Sequence, residues 1–340
     1  MTTSPHSGFV AIIGEPNVGK STLMNAMLGT KLSIVSPKPQ TTRRSVLGIF
    51  TEGTEESGTQ IVFFDTPGIL SKATYELHRS MLDFVKTSVE GADAILIVVD
   101  VLKLVEKPKP EKQKSAQHPN AKTQAGKTAS VKAEERGAKA LQTLMMRLQM
   151  RLETVDKPII IALNKMDALG DKKLALPVMD ALMKLPFVKH VAPISALENK
   201  YVDELLLKMK EFIPEHEFFY DAEMLSTQPQ RFFVSELIRE VIFMRYREEI
   251  PYSTEVGIVE FKERERGKWY ISADITVERD TQKQILIGKG GSSLKETGSL
   301  ARKAIESYLE CRVFLELFVK VREDWRNSSA HLRSFGYGQK

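Results

Sequence analysis

A single cysteine, Cys311, stands in the 340 residues, so no intramolecular disulfide can form and a reducing compartment, the cytoplasm, is expected. The six histidines show no spacing of a metal site. Long apolar runs are also missing: the longest, around Ala94 to Val99, falls far short of the roughly 20 residues that span a bilayer. The first strand pattern begins within eight residues of Met1, so no signal or transit peptide is expected. These absences argue against disulfide-stapled, zinc-structured and membrane-spanning classes. What is present, 42% hydrophobic and 27% charged residues, is ordinary for a globular protein, and the length suits two domains.

The net charge of +5 is uneven, at −2 for residues 1–102, +6 for 103–139, −2 for 140–228 and +3 for 229–340. Nucleic acid is the acidic partner such a distribution suggests, although solubility alone also explains it. Residues 103–139 are rich in Lys, Ala, Pro, Gln and Thr, with almost no large apolar side chain after Val105. Such a segment cannot offset its ordering entropy and is expected to be a disordered basic insertion, either a tolerated loop or an electrostatic arm.

Up to about residue 218 short apolar runs alternate with amphipathic stretches. Strands are expected at 8–13, 45–50, 60–65, 94–100, 158–163 and 190–194, with helices near 21–29, 74–90, 138–154, 173–184 and 201–212. That alternation implies an α/β fold with a largely parallel sheet, whose ligand site lies at the carboxyl ends of the strands. A polar, proline-bracketed stretch from Pro214 to Pro229 reads as a linker. Beyond it the order becomes helix (230–249), hairpin (254–262 and 269–279), two helices starting near 281 and 292, and a strand at 312–321, a small α+β unit.

The chemistry concentrates in loops that follow strands. Gly14-Glu15-Pro16-Asn17-Val18-Gly19-Lys20-Ser21, with Thr22 opening the helix, fits G-x-x-x-x-G-K-[ST]. Its glycines let backbone N–H groups face phosphates at a helix N-terminus, Lys20 reaches the β- and γ-phosphates, and the Ser21 hydroxyl suits Mg²⁺. Asp65-Thr66-Pro67-Gly68 supplies a carboxylate for a water on Mg²⁺ and an N–H, that of Gly68, to sense a γ-phosphate. Asn164-Lys165-Met166-Asp167 offers an aspartate that accepts from the two donors guanine has and adenine lacks, with Asn164 bracing the loops and the Lys165 stem across the base. Ser195-Ala196-Leu197 places the Ala196 N–H where guanine O6 would lie. Together the four loops select GTP or GDP. In Pro39-Gln40-Thr41-Thr42-Arg43 a threonine would close over Mg²⁺ and the γ-phosphate; Thr42 is preferred, with Thr41 the alternative. Lys20, Thr42 and Gly68 are therefore the candidate catalytic groups, and Ser21, Thr42 and Asp65 the candidate Mg²⁺ set. Ile69 occupies the place of the water-orienting glutamine of Ras-type switches, which predicts slow intrinsic hydrolysis.

Between the two late helices lies Ile287-Gly288-Lys289-Gly290-Gly291. A lone GxxG is weak, but the surrounding order suits a KH module, whose loop clamps single-stranded RNA. Lys283, Lys289 and Lys295 supply charge, and Ile285, Leu286 and Leu294 form either a floor for bases or part of the core.

The set GEPNVGKS, PQTTR, DTPG, NKMD, SAL and IGKGG resembles the Era family of GTPases with a C-terminal KH domain. The stretch from Leu317 through Trp325 to Tyr337 is similar to the family's C-terminus, and the resemblance covers nearly everything except 103–139. It implies a Ras-like P-loop GTPase domain (1–218) followed, after a linker (219–229), by an α+β type II KH domain (230–338). It further implies a factor that binds the 3′ end of small-subunit rRNA, assists assembly of the 30S precursor, and associates in part with the inner membrane surface; a monomer is expected. Asn17 matches the asparagine with which related GTPases bind an activating K⁺. Two other readings compete. One is an RNA-binding module in which nucleotide only supports the fold, which intact Lys20, Ser21 and Asp65 oppose. The other is a GTPase of tRNA modification or of the 50S subunit, which the KH module and the single phosphate loop oppose.

Overall fold

The computed structural model describes residues 4–36, 38–69, 73–105 and 156–337, with a few positions between 135 and 143. Most of the expected insertion and of the helix expected at 138–154 lie outside the described residues. The start of that insertion is corrected: Val101–Lys103 form a 3-10 turn after the fourth strand, and Leu104 and Val105 are buried, so the apolar pair draws the chain back onto the sheet.

The first sheet has six strands among the described residues: β1 (His6–Ile13), β2 (Val46–Glu52), β3 (Thr59–Asp65), β4 (Ala94–Asp100), β5 (Ile159–Asn164) and β6 (Val188–Pro193), in the order β2-β3-β1-β4-β5-β6. All neighbours are parallel except β2 with β3. Near-continuous Ile, Val, Leu and Ala in β1, β4 and β5 suit strands covered on both faces. Helices α1 (Lys20–Leu28), α2 (Glu76–Gly91), α3 (Leu176–Met183) and α4 (Val202–Lys210) follow strands β1, β3, β5 and β6. Two apolar clusters form, one containing Leu23, Leu96 and Leu205, the other Val85, Ile97 and Val178.

Residues 219–229 are no free tether. Leu225 C=O accepts from Ile49 N–H on edge strand β2 (2.8 Å), and the Gln60 side chain bonds both Phe219 and Tyr220 backbones. The segment covers a sheet edge that would otherwise present unpaired backbone groups.

The second sheet, β7 (Glu255–Lys262), β8 (Trp269–Val277) and β9 (Val313–Val321), pairs β7 antiparallel and β9 parallel to β8. Helices α5 (Gln230–Arg245), the single turn α6 (Ile250–Ser253), α7 (Asp280–Ile287) and α8 (Ser292–Leu309) complete an αββααβ unit around Ile238, Ile275, Leu286 and Ile305. Helix α5 stops four residues earlier than expected. The Tyr246 hydroxyl is drawn into the core against Thr297 Oγ1 (2.9 Å) and Leu286 C=O (3.2 Å), which pulls its backbone into extended φ/ψ. The last helix among the described residues is α9 (Ser329–Ser334). With Trp325, Leu332 and Tyr337 it buries an apolar cluster against Leu77 and Met81 of α2, tying the C-terminal segment back to the first domain.

Candidate functional site

The loop after β1 turns sharply because its residues adopt conformations few side chains tolerate. Gly14 has φ +156°, and a Cβ there would lie 2.5 Å from the Val98 carbonyl oxygen. At Gly19, φ +102°, a Cβ would meet Asn164 Nδ2 at 2.3 Å. The space is used: Asn164 Nδ2 donates to Val18 C=O (2.8 Å) while its Oδ1 accepts from Ala196 N–H (2.9 Å). One buried side chain thus joins the phosphate loop to the loop after β6.

A cavity of about 540 Å³ opens at the carboxyl ends of the strands. Pro16, Asn17, Gly19, Lys20, Ser21 and Thr22 line one side and Thr42 and Gly68 another, with Asn164, Lys165, Asp167 and Leu197 at the far end. Gly14, Glu15, Val18, Asp65, Thr66, Pro67, Ser195 and Ala196 stand behind this lining. Several depart from their expected roles. The Thr66 hydroxyl donates to Ile12 C=O (2.7 Å) and fastens β3 to β1, so it does not face a nucleotide. Glu15 turns to Lys103 Nζ (2.8 Å). The Val18 side chain packs in the core, leaving only its backbone to the loop. The Ala196 N–H, expected at guanine O6, is already donated to Asn164. Ser195 acts through its neighbour: its hydroxyl donates to Asp167 Oδ1 at 2.5 Å and orients that carboxylate. Lys165, in left-handed backbone, pairs with Asp100 Oδ2 at 2.7 Å, which holds its stem along the cavity. Ile34, Val35, Ser36 and Ala168 also line the cavity, as does Gln40 of the Pro39–Arg43 stretch. The sequence assigned none of these five a role, because they are ordinary residues brought in by loops whose signature lies beside them.

Lys20 is buried at the cavity floor, its ammonium donating to Gly14 C=O (3.2 Å) and Glu15 C=O (3.0 Å). Burial lowers its pKa to about 8, with Asp65 opposing and Lys103 reinforcing the shift. The candidate metal ligands converge: Ser21 Oγ donates to Asp65 Oδ2 (2.7 Å) and lies 2.8 Å from Thr42 Oγ1, which is itself 3.4 Å from Asp65 Oδ2. Burial raises the Asp65 pKa against the Ser21 hydrogen bond and the Lys20 charge. Its Oδ1 is buried with no hydrogen-bond partner among the described residues. Two hydroxyls and a carboxylate with one unsatisfied oxygen are hard donors, and they fit Mg²⁺. Where a Ras-type glutamine would stand, Ile69 is fully buried and its N–H donates to Gly14 C=O (3.1 Å).

The second site lies beside the GxxG loop. Gly288, Gly290 and Gly291 all have positive φ; a Cβ on Gly288 would strike Ser293, whereas Gly290 and Gly291 face open space. A groove of about 480 Å³ runs from Gly291 along Leu294, Lys295 and Arg302 of α8 to Phe314, Leu315 and Leu317 on β9. Lys289 and Lys295 are exposed, and Lys283 and Ile287 are half-buried. Leu286 is fully buried in the core and can form no floor for bases; Leu294 lines the groove and Ile285 is exposed away from its lining. The β9 wall was missed, since only the parallel pairing of β8 with β9 brings residues 314–317 beside the loop.

A phosphate loop with guanine-reading loops at the strand ends, followed by a GxxG unit of αββααβ order, defines a P-loop GTPase carrying a KH domain. Comparison with known proteins agrees. A family model described as 50S ribosome-binding GTPase matches residues 9–165, and a KH domain model matches 249–326. GTPase Era of a Geobacter species is 40% identical over 97% of each chain, and that of Geotalea daltonii 39% over 98% of each. Among solved structures, an Aquifex aeolicus Era variant bound to GDP and aluminium fluoride aligns over 98% of this chain and 100% of its own, with TM-score 0.80 and 37% identity. An Era complex with Mg²⁺, GDPNP and nucleotides 1506–1542 of 16S ribosomal RNA aligns over 98% and 99%, with TM-score 0.81 and 36% identity. The chain belongs to the Era family of GTPases.

Proposed function

We propose that this GTPase is a nucleotide-operated switch that binds the 3′ end of small-subunit rRNA in its KH groove and assists assembly of the 30S subunit. The observation that carries the reading is the path of the chain between the two sites. Thr42 touches the metal-ligand cluster, and the next side chain, Arg43, is buried in the second domain. The solved Era relative that holds both a GTP analogue and a 16S rRNA fragment supports the RNA assignment. We divide the chain into a GTPase domain at 1–218, a linker at 219–229 and a KH domain at 230–338.

Within the nucleotide site, the 14–22 loop binds phosphates through backbone N–H groups, Lys20 neutralises β- and γ-oxygens, and the Gly68 N–H reads the γ-phosphate. Ser21, Thr42 and Asp65 would hold Mg²⁺, which supplies charge neutralisation at the phosphates. Asp167, set by Ser195, reads the guanine edge; Lys165 and Leu197 flank the base. In the KH groove Gly288–Gly291 take the RNA backbone, with Lys283, Lys289 and Lys295 as its counter-charges and Ile287 as apolar support. Directly after Gly68 stands the buried, apolar Ile69 in place of a water-orienting glutamine, so unstimulated turnover is slow; a rate on the order of 10 s⁻¹ would refute this. Asn17 is assigned as a K⁺ ligand, and hydrolysis independent of K⁺ would remove that assignment. The cytoplasmic setting and a peripheral membrane pool rest on the sequence and the family resemblance; no helix among the described residues is long and apolar enough to cross a membrane.

The test is binding of a labelled rRNA 3′-end oligonucleotide, with a scrambled control, in the presence of a non-hydrolysable GTP analogue or GDP. Sequence-selective binding favoured by the analogue is expected. Equal, strongly salt-dependent binding of both RNAs would reduce the groove to a basic surface.

A further inference from the structure

The loop that carries Thr42 is held chiefly by the other domain. The buried Arg43 guanidinium donates to Thr254 C=O (2.7 Å), Glu255 Oε2 (3.0 Å), Pro251 C=O (2.9 Å) and Tyr252 C=O (3.0 Å), and sits between the Phe243 and Trp325 rings. Arg44 donates to Phe335 C=O (3.0 Å), lies 3.5 Å from Glu255 Oε1, and is flanked by Phe232 and Tyr337. The Tyr337 hydroxyl donates to Glu255 Oε2 at 2.7 Å. On the other side of Thr42, Arg239 of α5 donates to Thr41 C=O, and Lys38 Nζ donates to Phe243 C=O and Tyr246 C=O at the end of α5. Both arginines and Tyr337 converge on the Glu255 carboxylate. Consecutive Cα atoms are about 3.8 Å apart, so a side chain that immobilises Arg43 also limits where Thr42 can stand.

We infer that Glu255 and Tyr337 are positioning residues for the GTP-bound state: acting through Arg43 and Arg44, they hold Thr42 where Mg²⁺ and the γ-phosphate require it. A nucleotide without a γ-phosphate makes no demand on Thr42, so the effect falls on GTP and spares GDP. By linkage, GTP bound with Mg²⁺ tightens the grip of residues 41–44 on the KH domain by the same factor. The C-terminal segment, distant in sequence from every nucleotide motif, thereby belongs to the apparatus that distinguishes GTP from GDP. The inference rests on the assignment of Thr42 as a metal and γ-phosphate ligand.

The full chain and the variants Glu255→Gln, Tyr337→Phe and Thr42→Ala would be compared for affinity toward a fluorescent non-hydrolysable GTP analogue and toward GDP across a Mg²⁺ titration. Glu255→Gln is expected to weaken the analogue about tenfold and raise the Mg²⁺ midpoint, with GDP changed less than about twofold. Tyr337→Phe, which removes one hydroxyl and leaves its ring in the apolar cluster, shifts the analogue about threefold in the same direction and decides the matter if Glu255→Gln does not fold. Equal changes for both nucleotides, or none, while Thr42→Ala still discriminates, would overturn the inference alone. Loss of discrimination by no variant, Thr42→Ala included, would overturn the assignment of Thr42 and the inference with it.

Discussion

The two glycine loops to which phosphate binding is assigned are built in opposite ways. The nucleotide loop is braced from behind: Asn164 fills the space a Gly19 side chain would need, and the Lys20 ammonium donates hydrogen bonds to the loop's own carbonyls. At the KH loop only Gly288 is crowded, and Gly290 and Gly291 face open space beside exposed lysines. A pre-organised, desolvated site suits one small ligand held in one geometry, whereas an open loop suits a polymer that slides its backbone past and is read elsewhere in the groove. The contrast makes the first site intolerant of change and the second graded.

The largest expected effect tests the buried half of this contrast. Lys20→Ala removes the buried charge assigned to the β- and γ-phosphates. Single-turnover GTP hydrolysis should fall by about 10²–10³-fold. RNA binding measured without nucleotide should remain within about twofold of the parent, since the residues lining the groove and those lining the nucleotide cavity are different sets.

Next comes the same substitution made in both loops. Gly19→Ala places a methyl against Asn164 and forces an unfavourable φ, so chemical denaturation should show a loss of about 3 kcal/mol. Gly290→Ala meets only the conformational penalty, about 1 kcal/mol, and should weaken RNA more than it weakens the fold. Similar losses at both positions would erase the distinction between a braced and an open loop.

The contrast also explains what could be read in advance. The nucleotide loops were legible because each signature directly follows its own apolar strand, and a parallel sheet brings strand ends together whatever lies between. The KH groove was half legible: Gly288, Lys289 and Gly291 announce themselves, but Phe314, Leu315 and Leu317 look like any edge strand. Leu286 shows the limit of reading neighbours, since helical periodicity turns it into the core while Ile285 and Ile287 stay nearer the surface. The roles of Arg43, Glu255 and Tyr337 were invisible, because no periodicity connects Glu255 with positions 82 and 212 residues away.

The third expectation concerns pH. The folded Lys20 pKa, about 8, lies below its ordinary value of 10.5 because burial penalises the ammonium. Above pH 8 the nucleotide-free site increasingly carries a neutral amine, and GTP affinity should fall by up to about tenfold per pH unit as the proton must be taken up on binding. Stability runs the other way. Between about 8 and 10.5 the unfolded chain binds more protons at this lysine than the folded one, so Lys20 contributes a rise in stability with pH across that window. Isothermal titration and thermal melts of the parent and Lys20→Met separate the two trends, and parallel trends would show that Lys20 does not titrate there.

The smallest effect belongs to the open loop. Lys289 is exposed, and under the proposed function it is one of three counter-charges with Lys283 and Lys295, so no single one is decisive. If these three neutralise RNA phosphates, log K should fall against log salt with a slope of about −2 from them. Lys289→Ala should make that slope shallower by about 0.7, with affinity lowered only a few fold at moderate salt and by the same factor for matched and scrambled RNA. A loss confined to the matched RNA would mean that Lys289 reads bases, and the KH loop would then be as exacting as the nucleotide loop it was contrasted with.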